Sequence, residues 1–202
     1  MENIISSEEI IGDATQENVY VANDSIDYEC IRKICRESDF AKLYSMQEQK
    51  GGYLSNFDVV LNPKRKDELG MTDIRDEEVY LVCFVSLPIF TGEFIGGFAI
   101  TNFGVFSSYT CAGTRYCNHI SFENLAKAQT IDEGVPPNPQ QEYFEPCRAL
   151  RHWLIADNQL VAFFNYAKCG NTTAINLFRE IASSVRRDLG IGRANILQAP
   201  QA

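Results

Sequence analysis

Two stretches near the start of the chain have apolar residues at three- or four-residue intervals, which is the spacing of one helical face. The first, residues 24–46, opens with the helix-capping residues Asp24 and Ser25. The residues predicted to share its apolar face are Ile26, Cys30, Ile31, Ile34 and Cys35. The second, residues 55–70, is weaker and ends at Gly70. Both stretches begin or end with residues that commonly cap helices. We therefore predict two helices in this part of the chain.

From Glu77 onward the pattern changes to short runs of β-branched and aromatic residues separated by turn residues, which is typical of β-strands. In the first run, Val79, Leu81 and Cys83 occupy alternate positions and so share one face of the strand. Residues 132–141 contain three prolines and are predicted to form a surface loop. The predicted strands cover residues 77–86, 93–101, 104–110, 115–122, 124–131, 147–155 and 159–167.

The last patterned stretch, residues 171–190, has a broad apolar stripe at helical spacing. Arg186 and Arg187 fall in its last turn, where the helix dipole favours cations, and Gly190 follows as a stop signal. The predicted order is two helices, seven strands and one helix. Seven short strands with one amphipathic helix predict an α+β fold, in which a seven-stranded antiparallel barrel or sandwich is capped by the C-terminal helix.

The segment GGFAITNFGVFSS, residues 96–108, joins two of the predicted strands. Residues 101–104 are predicted to form a hairpin connection, because Asn and Gly tolerate the backbone angles of tight turns. Gly96 and Gly97 are predicted to let the strand bend. A glycine cradle for phosphate would need a helix N-terminus immediately after it. No helix is predicted there, so we exclude a phosphate-binding glycine loop.

This hairpin and the segment that follows it resemble bacterial pleckstrin-homology-like (PH-like) domains. In those domains a Gly-hydrophobic-hydrophobic-Thr-x-x-Gly-hydrophobic hairpin precedes an Ile-Ser-Phe/Tyr-Glu-x-Leu/Ile strand. The resemblance covers roughly residues 77–190. It implies a PH-like fold without catalytic residues or a cofactor, and some members of the family assemble into oligomers. The residues that carry it here are Gly97, Ile100, Thr101, Gly104, Ile120, Ser121, Phe122, Glu123 and Leu125.

The formal net charge is −9, and residues 1–29 contain eight acidic and no basic side chains. Because an acidic chain repels phosphate backbones, we expect no nucleic-acid partner. The N-terminus lacks the basic start and apolar run of a signal peptide, so a cytoplasmic location is expected. In that compartment the seven cysteines are predicted to be reduced and mostly buried.

Cys111, Cys117 and His119 are the nearest approach to a metal-ligand set. Their Cys-x5-Cys-x-His spacing is irregular for zinc, and a fourth ligand would have to come from Cys147 or His152. A Cys–His nucleophile pair would draw on the same side chains. A metal- or thiol-dependent enzyme is therefore the alternative hypothesis, and ordinary packing of these residues is the preferred interpretation.

The segment SLPIFTGE joins the first two predicted strands. In phosphoinositide-binding PH domains this loop carries Lys and Arg, whereas here it has no base and one acid, Glu93. Phosphate recognition would lack its main electrostatic contribution, which counts against a second alternative, a membrane-surface adaptor. Pro88, Ile89 and Phe90 make the loop apolar, so we identify it as a candidate interaction loop.

The predicted organisation has four parts. An acidic tail covers residues 1–23, a helical extension covers 24–70, a PH-like domain covers 77–190, and a short tail covers 191–202. The resulting functional hypothesis is a non-enzymatic module that acts through contacts with a protein partner or with a second copy of itself.

Overall fold

The structure, a computed structural model, describes residues 20–42, 63–86, 94–111, 114–134, 151–165 and 171–192. Its helices are α1 (Tyr28–Glu37), α2 (Pro63–Leu69), α3 (Phe122–Lys127) and α4 (Asn171–Asp188), with a 3-10 turn at Asp76–Glu78. Its strands are β1 (Val79–Ser86), β2 (Phe94–Thr101), β3 (Gly104–Cys111), β4 (Thr114–Ile120), β5 (Ile131–Glu133), β6 (Arg151–Ala156) and β7 (Gln159–Asn165). The predicted α+β class is confirmed.

The described strands form two antiparallel sheets and no closed barrel. Strands β1 to β4 pair in chain order in one sheet, and β5 to β7 pair in chain order in the other. Of the predicted barrel or sandwich, the closed barrel is therefore wrong for the described part of the chain. The break comes after Ile120, where Ser121 begins a helix and the chain starts a second sheet instead of extending the first.

Helix α4 lies on the core with the stripe that its sequence predicts. The ring of Phe178 packs on that of Phe98 in β2, with their centroids 5.4 Å apart. Gly190 follows the helix with a φ of 63°, a left-handed conformation that commonly ends helices. The prediction for this helix is confirmed. Its buried stripe consists of Ala174, Leu177, Phe178, Ile181, Ala182 and Val185.

Helix α1 begins later than the predicted capping residues. Asp27 is the N-cap, and its Oδ1 accepts a hydrogen bond of 3.0 Å from the backbone N–H of Cys30. A capping carboxylate satisfies one of the free N–H groups of the first turn, which explains why the helix starts here. Ile31 and Cys35 are fully buried on the predicted face and share one core with Phe178.

Helix α3 corrects the prediction of a strand over residues 124–131. Ser121 caps this helix, because its Oγ accepts a hydrogen bond of 3.3 Å from the N–H of Asn124. Phe122 and Leu125 lie one helical turn apart and are both buried. Strand structure in this region is confined to β5. The serine cap outweighs the strand-like composition of the segment.

Helix α2 covers the outer face of the first sheet. Leu69 at its end and Met71 beyond it pack with Ala99 and Phe106 of the sheet. This helix is the described part of the predicted second helix, whose start at residues 55–62 lies outside the described residues. Because α1 and α4 cover the other face, strands β1 to β3 are buried on both sides, whereas β4 is mostly exposed or half-buried.

The hairpin predicted between β2 and β3 is confirmed. Thr101 pairs with Gly104, which has a φ of 125°, and Thr101 Oγ1 donates a hydrogen bond of 3.2 Å to the carbonyl of Gly104. Gly96 and Gly97 allow close packing. A Cβ at Gly96 would overlap the ring of Phe163 in the second sheet, and one at Gly97 would overlap the backbone carbonyl of the neighbouring strand β1.

Candidate functional site

The predicted metal or thiol set is only partly brought together. Cys117 and His119 occupy alternate positions of β4 and share one face. Cys111 lies at the end of β3 opposite Thr114, three positions from Cys117 in the register, or about 10 Å along the strand. Cys147 lies outside the described residues, and only the backbone of His152, in β6, is described.

His119 is held in a packing position. Its ring lies 4.5 Å from that of Phe106 and 4.8 Å from that of Tyr20, measured between centroids. Its Nε2 lies 2.9 Å from the carbonyl oxygen of Phe103, and since a carbonyl only accepts, Nε2 donates this bond. Burial lowers the pKa of His119, although the bond to Phe103 opposes that shift. The neutral ring is therefore favoured.

Cys117 lies at the surface beside Gly70, with Sγ 3.6 Å from the position that a Cβ on that glycine would take. Partial desolvation raises the pKa of the Cys117 thiol, and the opposing effect of Arg115 is smaller. A raised pKa keeps the thiol protonated at neutral pH, whereas a nucleophile or metal ligand must be a thiolate. Within the described ranges no group of three His, Cys, Asp or Glu side chains is placed to hold a metal ion.

The candidate interaction loop cannot be placed on this structure. Pro88, Ile89 and Phe90 all lie outside the described residues.

A groove between α1 and α4 is the candidate site that the sequence analysis missed. The two helices run antiparallel: the N–H of Asp27 donates to Asp188 Oδ2 at 3.1 Å, and Cys30 Sγ lies 3.4 Å from Ser184 Oγ. The groove between them has a volume of about 490 Å³, within the range of small-ligand pockets. Its lining residues are Cys30, Lys33, Ile34, Glu37, Ser38, Glu180, Ser183, Ser184 and Arg187.

Charges of both signs line this groove. Arg187 Nη2 donates to Ser184 Oγ at 3.0 Å and lies 3.9 Å from Cys30 Sγ, and Arg187 Nε lies 3.9 Å from Asp188 Oδ1. The other charged residues of the lining are Lys33, Glu37 and Glu180. Ile34 is the one aliphatic residue of the lining, and the other eight residues each carry a hydroxyl, thiol or charged group beside their alkyl carbons.

The sequence predicts the two helices that form this groove but not that they pack against each other. The apolar faces of α1 and α4 were predicted, and the polar residues beside those faces could have been read as the rims of helix–helix contacts. Which helices are neighbours, and in which direction they run, depends on pairing across about 150 residues of sequence. Local periodicity carries no information about that pairing.

Comparisons of the chain with protein-family models, with curated proteins and with solved structures found no match. Among the described helices, none has the length and apolar character needed to cross a membrane.

Proposed function

We propose that this protein is a non-enzymatic interaction module, built on a PH-like arrangement, that acts by binding another protein chain, a second copy of itself included. The observation that carries the proposal is the α1–α4 groove, which is open at the surface and lined by charged side chains. Five of its lining residues have exposed side chains: Lys33, Glu37, Glu180, Ser183 and Arg187. Exposed polar groups around a concave surface are suited to recognition of a partner.

The PH-like part of the proposal is supported by the order of the elements. Two antiparallel sheets of four and three strands precede a C-terminal helix that packs on the core, as in the family that the sequence resembles. The hairpin at residues 101–104 matches the resemblance as well. The helix at Ser121 departs from it, because the family pattern has a strand at that point.

Binding is favoured over catalysis by the state of the two side chains with the most reactive chemistry. His119 uses Nε2 to bond a backbone carbonyl, and Cys117 has a raised thiol pKa. A nucleophilic cysteine needs a lowered pKa, and Cys117 does not meet that condition. The bond to Phe103 leaves Nδ1 as the nitrogen of His119 that can accept a proton, and the lowered pKa makes this ring a weak base.

The proposal is tested with the full chain in two measurements. Light scattering over a range of concentrations gives the mass in solution, and a pull-down from native lysate identifies captured proteins. We expect either a mass that rises above the monomer with concentration or a reproducible, identified partner. A monomer at all concentrations that captures no protein would overturn the proposal.

The enzyme alternative is tested in parallel. Protein purified without chelator is analysed for metals, and Cys117→Ala is compared with the wild type in the same mass and capture measurements. We expect no stoichiometric metal and no change in either measurement. A bound ion that is lost in Cys117→Ala would favour the metal-dependent alternative instead.

A further inference from the structure

Three side chains of the α1–α4 groove form one hydrogen-bonded cluster that includes a thiol: Cys30 of α1 with Ser184 and Arg187 of α4. Cys30 Sγ lies 3.4 Å from Ser184 Oγ and 3.9 Å from Arg187 Nη2. Arg187 Nη2 also donates to Ser184 Oγ at 3.0 Å. Ser184 is only 4% exposed, so its hydroxyl is fixed between the two helices beside the sulfur.

Two hydrogen-bond donors converge on the sulfur of this cluster. Ser184 Oγ accepts from the guanidinium, so its single hydrogen can be donated to Cys30 Sγ. The second donor is Nη2 of Arg187. Asp188 approaches Arg187 at a different atom, Nε, 3.9 Å away, and Nη2 still faces the cluster. Donors to a sulfur favour its thiolate form, which is the form that reacts with oxidants.

The other described cysteines are less accessible or less suited to a thiolate. Cys35 and Cys83 are fully buried, and burial raises the pKa of Cys35. Cys117 is exposed, but partial desolvation raises the pKa of its thiol. Cys30 is half-buried and lines a groove of about 490 Å³, so a small reactant can reach its sulfur. Access and hydrogen-bond donors therefore coincide at Cys30.

We infer that Cys30 is a site of oxidation by hydrogen peroxide, with Ser184 and Arg187 as the side chains that position the reaction. The thiolate sulfur attacks one peroxide oxygen, so that an S–O bond forms as the O–O bond breaks. The sulfur gives up two electrons, and the second oxygen leaves as hydroxide, which takes a proton from solvent and becomes water. The product is a sulfenic acid on Cys30. The inference is independent of the proposed interaction function, because it concerns one thiol and not what the groove binds.

Hydrogen peroxide suits this cluster because it is small and neutral and because its leaving oxygen needs a donor. The N–H of Arg187 that faces the sulfur can donate to the hydroxide as it forms, and a donor held in place for developing charge lowers the barrier. A neutral reactant is neither attracted nor repelled by the mixed charges of Lys33, Glu37 and Glu180 in the lining. The reaction therefore depends on the three clustered side chains alone.

The test uses the reduced full-length protein, treated with hydrogen peroxide in the presence of dimedone, which traps sulfenic acids. Peptide mapping by mass spectrometry gives the labelling rate at each cysteine. We expect labelling at Cys30 to be about fivefold faster than at Cys117, the effect that one net hydrogen bond has on an equilibrium. Cys35 and Cys83 report on folding, because they should stay unlabelled while the core is intact.

Variants of the two donors test their positioning role. Arg187→Met and Ser184→Ala each remove one donor, so each should slow labelling at Cys30 by about fivefold and leave Cys117 unchanged. Arg187→Lys keeps a cationic N–H donor and should recover most of the rate. The matched control is Arg36→Met, the same loss of charge at an exposed position of α1 outside the groove lining, which should react as the wild type does.

Equal rates at Cys30 and Cys117 in the wild type would overturn the inference. So would wild-type rates in both donor variants, because accessibility alone would then explain the reaction, or an equal slowing by Arg36→Met, which would trace the effect to net charge. If Ser184→Ala allows labelling of Cys35, that variant has lost its fold, and the exposed substitutions at Arg187 decide the outcome.

Discussion

The outer face of β4 and the α1–α4 groove differ in how far the fold leaves their polar side chains available for binding. The first carries residues with obvious chemistry, Cys117 and His119. The histidine is held in packing by its bond to Phe103, and the exposed thiol has a raised pKa. The groove carries ordinary lysine and glutamate side chains that have no ion partner among the described residues. A site is marked by polar groups that the fold leaves available more than by the residue types themselves.

The same contrast extends to how tightly the two regions are built. Strands β1 to β3 of the first sheet are buried on both faces, so their side chains and backbone have little room to move. The groove lies at the rim of a helix pair, where five of its lining side chains are exposed. We therefore expect substitutions in the sheet to cost stability and those in the groove to leave it nearly unchanged.

The largest effect is expected for Gly97→Ala in the sheet. The φ of Gly97 is 159°, and a Cβ added there would overlap the backbone carbonyl of Cys83 in β1. Strands β1 and β2 would therefore have to separate. We expect a loss of about 3 kcal/mol in the free energy of unfolding, measured by urea titration of the fluorescence of Trp153, the single tryptophan. Gly192→Ala is the control, because a Cβ there meets no atom within 4 Å. Equal stability of the two variants would contradict the packing described here.

The next effect compares two neighbouring arginines of α4. Arg186 donates two hydrogen bonds of 2.6 Å, to the carbonyls of Ala126 and Ala128 at the end of α3. Arg187 faces the groove. Arg186→Ala should cost about 2 kcal/mol in the free energy of unfolding, because it leaves two partly buried carbonyls without a charged donor. Arg187→Ala should change the free energy of unfolding by less than about 0.5 kcal/mol.

Arg186→Lys provides the internal check on this comparison. Lysine keeps the charge but lacks the planar fork that reaches two carbonyls at once, so its stability should fall between the wild type and Arg186→Ala. Urea titrations of all four proteins measure the differences. If Arg187→Ala were as destabilising as Arg186→Ala, the groove would be a structural contact and not an available surface.

The smallest effect is a pH dependence that arises from His119. Burial lowers its pKa in the folded state, so below about pH 6.5 the unfolded chain binds more protons than the folded protein does. The stabilisation is therefore complete above that pH and is lost as the pH falls through the lowered folded pKa. Urea titrations between about pH 7 and 5 should show a smaller decline for His119→Gln than for the wild type. His152 is present in both proteins, so the difference isolates His119, and parallel curves would contradict its burial.

The elements that the sequence predicted well are those whose signal is local. Helix α4 has a stripe of buried residues such as Phe178 and a stop at Gly190, and the hairpin has its turn residues at 101–104. The prediction of a strand after Ile120 is wrong because it follows the composition of the segment, whereas the helix there depends on one serine hydroxyl that caps it. Composition does not reveal a single hydrogen bond of this kind.

By itself, the sequence determined the α+β fold class, the helical face that carries Ile31 and Cys35, and the alternating sides to which strand side chains point. These features follow from side-chain spacing and backbone preference, which act over a few residues. Only the tertiary structure decided that the strands split into two sheets and that α1 lies antiparallel to α4. It also decided that His119 is used in packing while Glu37 and Glu180 stay available. These outcomes depend on contacts between residues far apart in the chain, whose free energy comes from burial and charge at sites that exist only after folding.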